Sequence, residues 1–198
     1  KGDLSAYLNL DTLIKRNLFA LGPVAGLKGE ILVLDGKVYS SSWNGRQLQN
    51  KQNEVSQAAM LVYSYVQNWK AINLKIKISS YAELEKLVET TAIANGYDIE
   101  IPFAFKIETG SLKALYHVIN WQEGTKHTME NHKKFSYEGQ LKNNESILLG
   151  FYSQQHQSIF THHTSNMHIH VLDKKTTTVG HLDSLFINGS ITIYLPVK

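Results

Sequence analysis

A chain of 198 residues, 42% of them apolar, can bury a full core as one domain or as two small lobes. Its formal charge of +3 comes from dispersed lysines, with arginine only at Arg16 and Arg46, which is not the clustered basic face of a nucleic-acid binder. Cysteine is absent, so disulfides and thiolate chemistry are excluded, and no apolar run has the length of a transmembrane helix.

Residues 1–17 are polar and weakly patterned, an arm or short helix. Leu18-Phe19-Ala20-Leu21 is a short apolar segment closed by the turn signal Gly22-Pro23. Residues 27–39 read as two strands about Asp35-Gly36, a pair suited to a two-residue hairpin because both positions accept positive φ. Residues 40–54 form a polar connection with a further turn candidate at Asn44-Gly45. Between Ala58 and Val66 a helical stripe competes with strand alternation in Leu61, Tyr63 and Tyr65, and the aromatic and β-branched content favours strand. Leu74–Ile78 alternates cleanly as a half-buried strand. Leu84, Leu87, Val88 and Thr91 then mark a helix over Ser80–Ala94, with Ser80 as N-cap, Glu83 completing a capping box and Asn95-Gly96 as the stop. Ile101–Ile107 and Ser111–Ile119 are expected as two strands about Thr109-Gly110, and residues 122–139 as a long polar loop or lid. Ile147–Tyr152 is a strand, and Ile187–Leu195 a strand pair about Asn188-Gly189. The strand count favours an α+β fold with antiparallel or mixed sheet.

The chemistry concentrates in Asn166-Met167-His168-Ile169-His170-Val171-Leu172 and, after a polar turn at residues 173–178, in Val179-Gly180-His181-Leu182-Asp183. Strand alternation puts His168 and His170 on one face, and a returning strand brings His181 beside them. Three imidazoles on a rigid hairpin suit a transition metal, most often zinc, and three protein ligands leave a position open for water or substrate. By itself His-x-His is a weak signal, since strand histidines are commonly solvated or hydrogen-bonded.

These residues resemble the α-acetolactate decarboxylases. That family carries a Tyr-His-Leu-His-Phe strand and a Gly-Gly-His-Val-Leu-Asp return, similar to residues 167–171 and 179–183 with the same His spacing. An early Leu-Asp-Gly-Glu-Leu…Asp-Gly-Lys-Phe-Tyr pattern resembles residues 27–31 and 35–39. Phe103–Ile107 through Lys113 is similar to Tyr-Ala-Ile-Arg-Ile-Asp-Gly-Thr-Phe-Lys, and Ile147–Phe151 to a Leu-Val-Gly-Phe segment. The likeness runs in order over about residues 18–187.

The resemblance implies Zn2+ held by His168, His170 and His181, with Glu30 near the metal for proton handling. Read without it, Glu30 is an exposed strand-edge carboxylate. It also implies one domain of two α/β lobes, about residues 18–100 and 101–198, the second barrel-like and the first pairing across a homodimer. The implied reaction takes 2-acetolactate, or a similar 2-hydroxy-3-oxo acid, to acetoin and carbon dioxide. The cation would stabilise the charge left by decarboxylation, and an acid would return a proton to carbon. The partner is then a small molecule, with neither nucleic acid nor membrane expected. Two positions depart from the family pattern. Val118 falls at the place of an arginine in Thr-Arg-Thr-Val-Pro, and the family's C-terminal glutamate lies in a longer tail, whereas this sequence ends at Lys198. His117, His127, His132, His162 and His163 are the candidates to supply positive charge instead.

Competing readings are a divergent metal-binding relative with other chemistry or none, and a DNA-associated module with a similar His-x-His and Gly-Gly-His-Leu pattern. A cupin is disfavoured, because its His-x-His is followed four residues on by Glu, and that place is Lys174.

Overall fold

A computed structural model describes residues 8–54, 57–126, 128–157, 159–161 and 165–197. The elements in order are β1 (Leu8–Asn9), β2 (Leu18–Pro23), β3 (Glu30–Leu34), β4 (Lys37–Trp43), β5 (Leu48–Gln52), β6 (Gln57–Ala58), β7 (Val62–Tyr65), β8 (Trp69–Ile78), α1 (Tyr81–Ala94), β9 (Phe103–Val118), α2 (Met129–Phe135), β10 (Tyr137–Tyr152), β11 (Met167–Asp173) and β12 (Val179–Pro196). With many strands and few helices, this is the expected α+β class. Every ladder between these strands is antiparallel.

The first sheet has the order β5-β4-β3-β2-β7. Its central strands are apolar on both faces because both faces are covered. Phe19, Leu21 and Leu32 point one way, towards Ala104, Leu149, Phe151, Leu172 and Val179 of the second sheet. Their chain neighbours Leu18, Ala20, Ile31 and Val33 point the other way, onto Leu10, Val38 and Ala58. The β3–β4 hairpin turns as expected, with Asp35 at φ 51° and Gly36 at φ 77°.

The second sheet runs β11-β10-β9-β12-β8, and β11 pairs with β12 as well. Four strands therefore close into a ring. Phe105, Ile107, Leu112, Leu148, Ile169, Val171, Ile187 and Ile193 belong to its core, on which α1 packs Leu84, Val88 and Ala92. Edge strand β8 carries Lys70, Lys75 and Lys77, a charge pattern that discourages edge-to-edge association.

Helix α1 begins as expected, the Ser80 hydroxyl accepting from Glu83 N–H at 3.1 Å. The Glu83 carboxylate accepts in return from Ser79 N–H at 2.7 Å.

Four expectations are corrected. Thr109-Gly110 and Asn188-Gly189 do not turn the chain; β9 and β12 are continuous through them. The two sites face each other as a register shift between the paired strands, a bulge that absorbs the glycines without ending either ladder. Residues 122–139 are not all loop, since they hold α2 and the start of β10. Residues 40–54 are largely β4 and β5, joined at Asn44, whose side chain accepts from Arg46 and Gln47 N–H. His127, His162 and His163 lie outside the described residues.

Candidate metal centre

Strand β11 is buried along its whole length, and its alternation sorts two surfaces. Met167, Ile169 and Val171 enter the ring core, while Leu172 packs with the first sheet. His168 and His170 share the face of Leu172. His181 on β12 sits directly opposite His170, and His117 on β9 directly opposite His181. A row of imidazoles thus crosses three adjacent strands where the ring meets the first sheet.

Gly180, next to His181 on β12, leaves room for the Tyr116 ring in the ring core: a Cβ there would lie 2.2 Å from that ring.

His168, His170 and His181 each offer one ring nitrogen, all within 4.8 Å of one another. His168 Nε2 and His181 Nδ1 stand 3.2 Å apart. Two nitrogens on a tetrahedral zinc would be separated by roughly 3.3 Å, so the spacing fits. His170 Nδ1 donates to the Ile31 carbonyl at 2.8 Å, which orients the ring and leaves Nε2 as the nitrogen that could bind a metal. Burial first, and then His168, keep His170 neutral far below its ordinary titration range, the form a metal requires.

Glu30 is not the exposed strand-edge carboxylate of the local reading; it is 4% accessible. It opens β3, and its Oε2 lies 3.4 Å from His170 Nε2. That distance meets an ion-pair criterion, but the neutral state of His170 makes it a polar contact. Glu30 Oε1 accepts from Ile119 N–H at 3.3 Å. Burial pushes the Glu30 carboxyl up to about 7, against opposing pulls from His117 and the Ile119 amide. The loop before β3 is fixed to the end of β9 by Lys28 Nζ donating to the Trp121 carbonyl and by Trp121 N–H donating to Leu27.

His117 Nδ1 lies 2.7 Å from Asp183 Oδ1. Burial alone would lower the His117 pKa; the Asp183 hydrogen bond and the charges of Glu30, Asp183 and Glu138 outweigh it and raise the pKa. Val118, which the resemblance sets at the place of an arginine, is fully buried in the ring core. The side chain β9 presents to the site is its neighbour His117. Glu30, His117, His132, His168, His181 and Asp183 line one cavity of about 580 Å³. Sequence reasoning gave Asp183 no role, although alternation puts it two places after His181 on the same strand. It grouped His117 with the loop histidines, because the β9–β12 register is not a local signal.

Residues 1–195 match the family model for alpha-acetolactate decarboxylase. Two solved acetolactate decarboxylases are similar in fold. That of Bacillus subtilis strain 168 has a TM-score of 0.78 at 18% identity, over 99% of this chain and 80% of that one. That of Bacillus subtilis subspecies spizizenii also has 0.78 at 18%, over 99% and 81%. A Staphylococcus aureus protein of unknown function, described as similar to alpha-acetolactate decarboxylase, has 0.75 at 14% identity, over 100% and 81%. No curated protein matches the sequence. With the family model spanning nearly the whole sequence, the chain belongs to the alpha-acetolactate decarboxylase family.

Proposed function

We propose that this protein is a zinc-dependent carboxy-lyase that converts 2-acetolactate, or a similar 2-hydroxy-3-oxo acid, to acetoin and carbon dioxide. The observation that carries the reading is the meeting of three imidazole ligand atoms with a buried carboxyl at the foot of an open cavity. Zinc held by His168, His170 and His181 would serve as a Lewis acid for the charge that develops as carbon dioxide leaves.

The remaining work falls to the chain. The Ile31 carbonyl holds the His170 ring, and the Ile119 amide holds Glu30 Oε1, with Oε2 beside His170 Nε2. Burial favours the protonated form of Glu30, and the acid delivers its proton from Oε2 to the carbon that has lost carbon dioxide. One proton is consumed per turnover, and solvent restores it to the carboxyl. Asp183 fixes the His117 ring beside His181. Lys133, exposed on a lining that also holds the exposed carboxylates of Glu138 and Asp183, is a cation available to an anionic substrate.

Protein reconstituted with zinc should release carbon dioxide and form acetoin from 2-acetolactate. Metal retention without turnover, beside an active control decarboxylase, would instead favour a metal-binding relative with different chemistry, a reading supported by valine at the arginine position. A homodimer joined through an edge of the first sheet is proposed as well, and sedimentation measures it directly.

A further inference from the structure

The cavity over the histidines is much larger than acetolactate needs, and exposed apolar side chains form part of its lining. An apolar cavity of about 150 Å³ holds benzene, so an acid of about nine non-hydrogen atoms fills roughly 200 Å³. The cavity here is about 580 Å³. Glu30 and His168 at the floor are 4% and 8% accessible, whereas Met60, Leu115 and Ile159 at the mouth are 39%, 50% and 68% accessible. Among the described residues, nine large apolar side chains are exposed, and these three all line this cavity. They come from separate parts of the chain: just before β7, from β9, and after β10. Leu27 and Phe160 add apolar surface to the same lining. Leaving apolar groups in water beside a polar floor is unfavourable unless a ligand covers them.

Resting on the proposed function, we infer that the site selects 2-hydroxy-3-oxo acids bearing an aliphatic chain longer than the methyl group of acetolactate, the chain lying along Met60, Leu115 and Ile159. The acid's hydroxyl, ketone and carboxylate stay at the floor. The bond changes are those of acetolactate: the carbon–carboxylate bond breaks, its electron pair remains on carbon, and Glu30 returns the proton. Only the group remote from the reacting carbon differs, so its contribution is apolar burial. Lys133 and His132 are polar members of the same lining, and the apolar side chains are the track for the chain.

The test titrates zinc-loaded protein calorimetrically with alkanehydroxamates from two to eight carbons, probes that chelate zinc through two oxygens and carry a tail. Affinity should tighten about three- to fourfold per methylene over the first several carbons and then level off. The double variant Leu115→Asp, Ile159→Asp should flatten that series. In parallel, kcat/KM for 2-hydroxy-2-alkyl-3-oxobutanoates should rise with alkyl length above that of acetolactate. Acetolactate turnover with a flat or falling series in both measurements overturns this inference and leaves the proposed function standing. Failure to hold zinc together with failure to turn over any of the acids overturns both.

Discussion

Replacing Glu30 with glutamine makes the energetic cost of this buried carboxyl measurable without any metal. The folded protein holds the Glu30 proton with a pKa of about 7, against an ordinary 4.5. Below about pH 4.5 the group is protonated whether the chain is folded or not, and it costs the fold no ionisation energy. As pH rises from there to 7, the unfolded chain releases the proton while the folded one retains it, and stability falls. Above 7 both forms are ionised and the loss is complete. The gap between the two values corresponds to roughly 3 kcal/mol. Glu30→Gln has no proton to lose and keeps the shape of the neutral acid. Urea denaturation of chelator-treated protein at intervals from pH 4.5 to 8.5 gives the stability of both forms. Their difference should shift in favour of the glutamine variant by up to roughly 3 kcal/mol, bending near pH 7. Other titrating groups cancel in the difference, apart from His117, whose charge lowers the Glu30 pKa, and Asp183, whose charge raises it; both are already contained in the value of about 7. A difference constant to within about 0.5 kcal/mol would mean that Glu30 is not in a desolvated site.

Three further outcomes are expected. Zinc at a free concentration about a hundredfold above its dissociation constant should stabilise the protein by about 2.7 kcal/mol; thermal melts with and without zinc should show this shift in the parent and lose it in His168→Ala and His181→Ala. Gly180→Ala, whose Cβ would meet the Tyr116 ring at 2.2 Å, should lose roughly 1–3 kcal/mol in urea denaturation, and a Tyr116→Ala background should shrink that loss. Val118→Arg puts a charge into the fully buried ring core and should cost more than about 4 kcal/mol or prevent folding, whereas His117→Arg, facing the cavity, should fold; equal tolerance of the two would contradict the assignment of faces on β9.

Local signals survived wherever the tertiary structure had no reason to override them. Asp35-Gly36 makes its hairpin because both residues take positive φ with little strain. Ser80 caps α1 because the first helical amides need an acceptor that lies three residues away. The same glycine-based reasoning failed at Gly110 and Gly189. A turn signal expresses a preference of about a kcal/mol, and continuous ladders on β9 and β12 outweigh it. Residues 122–139 held no strong periodicity, so α2, with its Thr128 cap, went unseen.

The sequence by itself determined that His168 and His170 share a face and that His181 returns to them after a short turn, because strand periodicity and hairpin closure act over a few residues. It also determined the α+β class, through alternation repeated along the chain. Only the tertiary structure decided that Glu30 is buried against His170, that His117 rather than Val118 faces the cavity, and that Asp183 holds His117. Those relations depend on the register between strands far apart in the chain and on the packing of one sheet upon another. A shift of one residue in that register would exchange every inward side chain for its neighbour, and no local pattern reports it.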